Sequence, residues 1–413
     1  MKVVHIGFQY GLNNTGGAAI AATRLHLALL DAGIESHYVC VQKGEDGPNV
    51  HVLPTRGVAR LLYFVLTKLT RCIWKFLPCR KSICLNVIPM FGLERLLKRI
   101  EPDVVHVQWV NADVCSFEQL GKLPYKLILN LHDLYMINAI APYPGSDVRY
   151  RNGFTPSNST KLERWLLNRK RMLVERKRPV FIGPSKWVCR MCSSSLVGHG
   201  CSAYPVLNVI DARFRFDPAA YMHHDKMTML FGAFGGRRNA LKGWSDCERA
   251  LRLLPQEVRK NSVVQIFGEM AADYDIEGLS VRFLGEQANQ EDLRRIYSSA
   301  DVFLFPSVEE TQGMTKIEAL LCGLPVVAFD RTACAEGIKH RQTGWVAKDG
   351  DIESYSDGIM YFFNLWESGL LERSHNEIAQ SAKRIFANEP VLNALLDVYG
   401  DADKKTQAAE NCD

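Results

Sequence analysis

The chain has 413 residues, 47% of them hydrophobic and 23% charged, a composition that describes a soluble globular protein too long for one typical core. A net charge of +5 is small for this length and does not argue for nucleic-acid binding. Twelve cysteines without a repeated spacing suit reduced thiols better than a disulfide framework.

Apolar runs of strand length alternate with helical patterns along the whole chain, the mark of parallel α/β architecture. The start, Met1 to Gly7, reads as a first strand over residues 3–6 and lacks the apolar stretch and cleavage site of a signal peptide. Gly16 and Gly17 follow, then a helical run over residues 18–32 with Ala21, Leu25, Ala28 and Leu29 at core spacing. Such a pair lets backbone approach a phosphate or sugar, although a simple turn is the more common explanation. A second strand is expected over residues 37–41.

Residues 61–77 form the longest apolar stretch, but Lys68, Arg71 and Lys75 interrupt it, which argues against a transmembrane helix. Arg56, Arg60, Arg80 and Lys81 flank it, and Arg95, Lys98 and Arg99 follow. Two readings fit: a basic amphipathic surface for anionic lipid, anchored by Phe64, Trp74 and Phe76, or a buried helix with a solvated basic face.

Strands are next expected over residues 104–107, 126–131 and 180–182. His132-Asp133 stands at the end of the second of these, where a side chain can reach a ligand, although a lone His is more often structural. Residues 143–158, rich in Pro, Gly, Ser and Asn, should form an irregular loop. A helix over residues 161–178 should bury Leu162, Trp165, Leu166 and Leu173 and turn its charges to solvent. Cys189, Cys192, His199 and Cys201 match no strong zinc spacing.

A second strand series, over residues 228–231, 263–267, 281–284, 302–305 and 326–329, implies a second similar domain, with the boundary near 205–211. Directly after its first strand comes G-G-R-R-N-A-L-K-G, residues 235–243. Glycines let this backbone turn tightly, so Arg237 and Lys242, with Arg238 as the weaker candidate, can converge on one anion. After the strand ending at Phe305, residues 306–327 read P-S-V-E-E-T-Q-G-M-T-K-I-E-A-L-L-C-G-L-P-V-V. Glu310 would lie in a loop and Glu318 about a turn into the following helix, while the amides of Gly313, Met314 and Thr315 and the helix dipole favour an anion there. A ligand anionic in the middle and rich in hydroxyls at both ends, as a nucleotide sugar is, would satisfy these groups. A surface loop before an ordinary helix, with both acids solvated, is the plainer alternative.

These residues resemble the E-x7-E signature of the retaining glycosyltransferases of family 4, with matches at Glu310, Gly313, Glu318, Ala319, Gly323 and the Pro325-Val326-Val327 end. Arg237 and Lys242 match the family's G-R-x4-K-G loop, and Gly16-Gly17 and His132-Asp133 stand where the family carries such pairs. Pro184-Ser185-Lys186-Trp187, Leu207 to Asp211, Ala335 to Ile338 and Thr343-Gly344-Trp345 also resemble family landmarks, so the likeness runs from about residue 3 to residue 350. Thr311 and Gln312 replace the usual Gly and aromatic pair, and the segment after Asp133 lacks a common Gly-Gly-Cys-His element.

The resemblance implies a GT-B fold, two Rossmann-like parallel-sheet domains facing across a cleft. An acceptor-side domain would span residues 1–205 and a nucleotide-sugar domain 206–385. Residues 386–400 would form a helix returning to the first domain, and 401–413 a disordered tail. The implied activity moves a sugar from a nucleoside-diphosphate donor to a hydroxyl of a glycan or lipid-linked acceptor, with retention, in cell-surface polysaccharide biosynthesis. Catalytic roles would fall to His132, Glu310, Arg237 and Lys242. Donor binding would involve Gly16, Gly17, Arg237, Lys242, Gly313, Met314, Thr315 and Glu318. No metal, no cofactor and no nucleic acid are expected. The implied place is the cytoplasm, at the inner face of the membrane if residues 56–99 contact anionic lipid. A decayed nucleotide-sugar-binding protein or a GT-B epimerase are the alternatives.

Overall fold

A computed structural model describes the chain except residues 13–15, 55–56, 74–83, 220, 222–224, 233–234, 288 and 411–413. It divides into two compact units: Met1–Val209 with Glu389–Asp413, and Ile210–Asn388.

The first unit is built on β1 (Lys2–Tyr10), β2 (Glu35–Lys43), β3 (Val50–Val52), β4 (Val104–Trp109), β5 (Lys126–Asn130), β6 (Val180–Gly183) and β7 (Ala203–Pro205). They pair in the order β3-β2-β1-β4-β5-β6-β7, every pair parallel. Val3, Val4, Ile6, Val105, Ile128 and Phe181 are fully buried, as expected of parallel strands covered on both faces, which read as unbroken apolar runs. The sheet turns back between β1 and β4, which makes a topological switch point at their carboxyl ends.

The second unit holds β8 (Met227–Gly232), β9 (Ser262–Phe267), β10 (Tyr274–Ile276), β11 (Leu279–Gly285), β12 (Val302–Phe305), β13 (Val326–Asp330) and β14 (Gly344–Lys348). Their order is β10-β11-β9-β8-β12-β13-β14, parallel apart from the β10-β11 hairpin. Here the switch point lies between β8 and β12. The loop after β8 carries Arg237 and Lys242, and the loop after β12 carries Glu310, so strand order alone brings two motifs remote in sequence to one edge.

Several expectations need correction. The expected tail is helical as far as Glu410, within a helix Asn388–Glu410, and residues 411–413 lie outside the described set. That helix packs Val391, Leu395, Val398 and Tyr399 against Val3, Leu25, Leu29 and Ile128 of the first unit. The expected irregular loop over 143–158 contains a helical turn, Arg149–Asn152, pinned by an Asp147–Arg149 ion pair of 2.7 Å.

The helix Lys161–Lys177 opens on a capping box between Thr160 and Glu163, but its buried side differs from the expected stripe. Trp165 is exposed and Leu162 half-buried, while Arg169 and Lys170 are buried with Leu166, Leu167, Leu173 and Val174. Arg169 binds both carboxylate oxygens of Glu118 and the carbonyls of Leu85 and Asn86. Lys170 Nζ reaches the carbonyls of Tyr135, Asn138 and Ala139 at 2.5, 2.8 and 3.1 Å. Buried cations are tolerated when their donors are matched in this way.

The apolar stretch forms a helix Val58–Ile73. The expected features at Arg56, Trp74, Lys75, Phe76, Arg80 and Lys81, and the side chain of Arg71, lie outside the described residues. No described helix is long and apolar enough to cross a membrane.

Candidate functional site

In the second unit the residues after β8 form two tight turns, Gly236–Arg238 and Ala240–Lys242. Gly243 must be glycine: its φ is +70°, and a Cβ there would collide with the carbonyl oxygen of Pro306. That close approach, with the Val308 N–H donating to Leu241 O at 2.8 Å, sets the β8 loop directly against the β12 loop. As a result Lys242 Nζ lies 2.6 Å from Glu310 Oε1, with both side chains less than a quarter exposed.

Arg237 is held from several sides. Its backbone N–H donates to Glu269 Oε2 at 2.9 Å, and its guanidinium lies 3.4 Å from the same carboxylate. The guanidinium also stands over the rings of Phe283 and Tyr274, 4.5 and 5.1 Å from their centroids. Glu269 is buried, and a Cβ on Gly236 would fall 2.5 Å from its Cβ, so glycine is what lets this turn close on the carboxylate. Arg238 is 70% exposed and only 3.8 Å from Glu269 at its nearest, so it is the less fixed of the two arginines.

Glu310 is fixed by its own peptide group: its N–H donates to Thr332 Oγ1 at 3.1 Å, and its carbonyl accepts from Ala333 N–H at 3.3 Å. Thr311 and Gln312, the two departures from the family pattern, are both buried. Gly313 then caps the helix Met314–Leu321 with φ +79°, and a Cβ there would come 2.6 Å from Phe305 Cζ. An α-helix leaves its first N–H groups without intrahelical acceptors, so Met314 and Thr315 present donors at this end. Glu318 lies within the same helix, buried, with the Tyr297 hydroxyl 3.4 Å from its Oε2. The second unit therefore gathers Arg237, Lys242, Glu310 and a helix N-terminus at the β8/β12 switch point, with Glu318 in the second turn of that helix.

Gly16, Gly17 and His132 belong to the first unit. Gly16 caps the helix Gly17–Asp31 in an extended conformation, and a Cβ on either glycine would meet nothing within 4 Å, so packing does not dictate them. His132 is buried, with Nε2 2.9 Å from Gln108 Oε1. That oxygen also accepts from Asn130 Nδ2 at 3.0 Å, and Gln108 Nε2 donates to His5 Nδ1 at 2.9 Å. An acceptor at Gln108 Oε1 places the His132 proton on Nε2. Burial lowers the His132 pKa to about 4, so the ring is neutral at neutral pH. Asp133 accepts from Trp109 Nε1 at 2.8 Å, Asn111 Nδ2 at 2.7 Å and Tyr135 N–H at 2.9 Å. These bonds make Asp133 an organiser of the loop. A pocket lined by Gln108, Trp109, Asn111, His132, Asp133 and Met136 opens here.

Sequence reasoning missed Glu269, Gln108 and Trp109. Each stands at or just past the carboxyl end of a parallel strand, so the strand-end rule that found His132 had the power to find them. It also missed Tyr297 and two buried lysines, Lys170 and Lys316, for which the sequence carries no signal. Among the described residues there is no cluster of three or more His, Cys, Asp and Glu able to hold a metal, and the nine described cysteines are free thiols.

Two family models match the chain side by side: Glycosyltransferase Family 4 over residues 15–194 and Glycosyl transferases group 1 over residues 228–384. Among curated relatives, the amylovoran biosynthesis glycosyltransferase AmsK of Erwinia amylovora is 35% identical over 89 residues, 20% of this chain and 21% of its own length. The O-antigen chain mannosyltransferase B of Escherichia coli is 31% identical over 122 residues, 27% of this chain and 31% of its own. A D-inositol 3-phosphate glycosyltransferase of Saccharomonospora viridis is 29% identical over 188 residues, 41% of this chain and 42% of its own length. The matched stretches thus span between about a fifth and two fifths of these relatives.

Likeness of fold extends over nearly the whole chain. Sucrose-phosphate synthase from Thermosynechococcus elongatus matches with a TM-score of 0.66 at 15% identity, covering 99% of both chains. Anabaena HepE in complex with UDP and glucose matches with a TM-score of 0.63 at 14% identity, covering 97% of this chain and 99% of that one. With its two Rossmann-like sheets and both halves matched, the chain belongs to the GT-B glycosyltransferases whose halves are the family 4 and group 1 domains.

Proposed function

We propose that the protein transfers a sugar, with retention at the anomeric carbon and without a metal, from a nucleoside-diphosphate donor to a hydroxyl of a glycan or lipid-linked acceptor in cell-surface polysaccharide assembly. The observation that carries this reading is the meeting of Lys242 and Glu310 at the β8/β12 switch point, with Arg237 on the same edge and the helix Met314–Leu321 opening shortly after Glu310 in the chain. Matches to a relative named for amylovoran biosynthesis and to an O-antigen mannosyltransferase support the polysaccharide setting, and a UDP-bound neighbour of like fold supports the donor class.

In this reading the bond from the anomeric carbon to the diphosphate oxygen breaks while the acceptor oxygen bonds to the same carbon on the same face. The departing phosphate oxygen takes the acceptor's proton. Charge grows on the diphosphate as it leaves, and Arg237, Lys242 and the amides of Gly313, Met314 and Thr315 stabilise that charge from fixed positions. Glu318 holds the ribose hydroxyls and Glu310 orients the sugar. In the first unit the neutral His132 and the Gly16-Gly17 pair are proposed as sugar-binding groups. Lys242→Ala should lower kcat by at least ~10²-fold, the usual scale for one charge-stabilising group, with the fold intact by circular dichroism. Full activity in that variant contradicts the assignment.

The acceptor is proposed to be met at an anionic membrane. On the helix Val58–Ile73, Tyr63 and Thr67 are buried while Val58, Leu61 and Leu69 are 81, 67 and 55% exposed, and Leu62 and Val65 are exposed on the same side. Arg60 and Lys68 lie on this helix too, so it offers an apolar face together with cations. Vesicles containing anionic lipid should bind the protein, and Leu61→Ser with Leu69→Ser should weaken binding. Equal partition of both proteins refutes the membrane contact.

A further inference from the structure

We propose that Lys316, buried in the helix between the two site acids, is a positioning residue for Glu310 that acts through the loop over residues 331–337. The inference rests on the reading of Glu310 as part of the donor site.

Lys316 is 1% exposed, and its Nζ lies 2.9, 3.0 and 2.8 Å from the carbonyl oxygens of Ala333, Cys334 and Glu336. An ammonium has three N–H donors and no acceptor, so three converging carbonyls satisfy it completely. Apolar neighbours on the helix, Ile317, Ala319 and Leu320, already supply the packing, so a lysine here answers a need other than core volume. Burial lowers its pKa to about 8, with Cys334, Glu310 and Glu336 opposing that fall, and it remains an ammonium at neutral pH.

The loop drawn in by this ammonium is the loop that fixes Glu310. Thr332 Oγ1 accepts from the Glu310 N–H at 3.1 Å, Ala333 N–H donates to the Glu310 carbonyl at 3.3 Å, and Cys334 Sγ donates to the Ser307 carbonyl at 3.4 Å. Lys316 thus pins the carbonyls of residues 333, 334 and 336, and residues 332–334 pin the loop that carries Glu310. The Glu310 carboxylate then meets Lys242 from a peptide that cannot shift unless the 331–337 loop shifts. The first unit repeats the device: the buried Lys170 gathers the carbonyls of Tyr135, Asn138 and Ala139, in the loop that follows His132 and Asp133.

The test is a double-mutant cycle on the full chain, with donor turnover and amide hydrogen exchange as separate readouts. Lys316→Met should lower kcat on the order of 10²-fold, the scale of a misplaced reacting group, and change the donor KM far less. In a Glu310→Gln background the same substitution should add less than about 3-fold, because both changes act on one group. Loss that multiplies fully in that background overturns the positioning role. In exchange, the Glu310 and Ala333 amides should lose protection in Lys316→Met while amides of β8 and β12 keep theirs. Unchanged protection at Glu310 overturns the inference whether or not any donor is turned over, whereas absent turnover in the unaltered protein overturns the proposed function instead. If Lys316→Met does not fold, Thr332→Val, which removes the acceptor of the Glu310 N–H together with a 3.6 Å contact to Cys334 Sγ, takes its place, and an unchanged kcat there overturns the proposal.

Discussion

The first unit should lose stability in mild acid because of its buried histidines. Burial lowers His26 and His132 to about 4 and His106 to about 3, and His5, beside His106 and His26, falls well below its ordinary 6.5. In the unfolded chain each returns to about 6.5. The folded pKa is the depressed one, so between pH 6.5 and 4 the unfolded state binds more protons, and stability falls as pH falls through that window. From pH 7 to 5.5 each ring with a pKa of 4 or below loses about 0.9 pK units of linkage. That is ~1.2 kcal/mol per ring, or ~4 kcal/mol for His26, His106 and His132 together. Asp133, raised by burial, works in the opposite sense, and ordinary carboxylates with unfolded values near 4 hardly titrate in this range. Urea unfolding at pH 7.0 and 5.5, followed by a probe in the first unit, should show a drop of this order against a typical total of roughly 5–15 kcal/mol. Equal stability at the two pH values, or a rise on acidification, refutes the burial argument.

Other substitutions test separate contacts. Glu269→Gln should weaken nucleoside-diphosphate binding by about tenfold, because Arg237 loses its charged partner, and calorimetry that finds unchanged affinity removes Glu269 from the site. Gly243→Ala should destabilise the second unit by about 2 kcal/mol or more, since it adds left-handed strain to a clash with Pro306; an unchanged melting temperature contradicts the packing of the two loops. Lys170→Met leaves three carbonyls facing an apolar side chain and should cost about 3 kcal/mol or more in the first unit, measured by denaturant unfolding.

Much of this architecture was legible because strands buried on both faces announce themselves as apolar runs, and β12, at Val302–Phe305, falls where the sequence placed it. The strands that escaped notice are short or disguised. β3, β7 and β10 are three residues long, too few for any period to show, and β14 opens on Gly344, a residue type depleted in strands. The local charge pattern makes Arg169 and Lys170 part of a solvated face, whereas their burial is decided by carbonyls brought in from residues 85–86 and 135–139. At the site, spacing identified Lys242 and Glu310 separately. Their contact follows from β8 lying beside β12, a fact of topology that no local pattern states.

The most direct measurement is release of nucleoside diphosphate from a panel of nucleotide sugars, with lipid extract as acceptor, by the unaltered protein and by Lys242→Ala. The account predicts release with at least one donor, dependent on acceptor and lost in Lys242→Ala. Release that is equal in the two proteins, or absent with every donor from a folded protein, contradicts it.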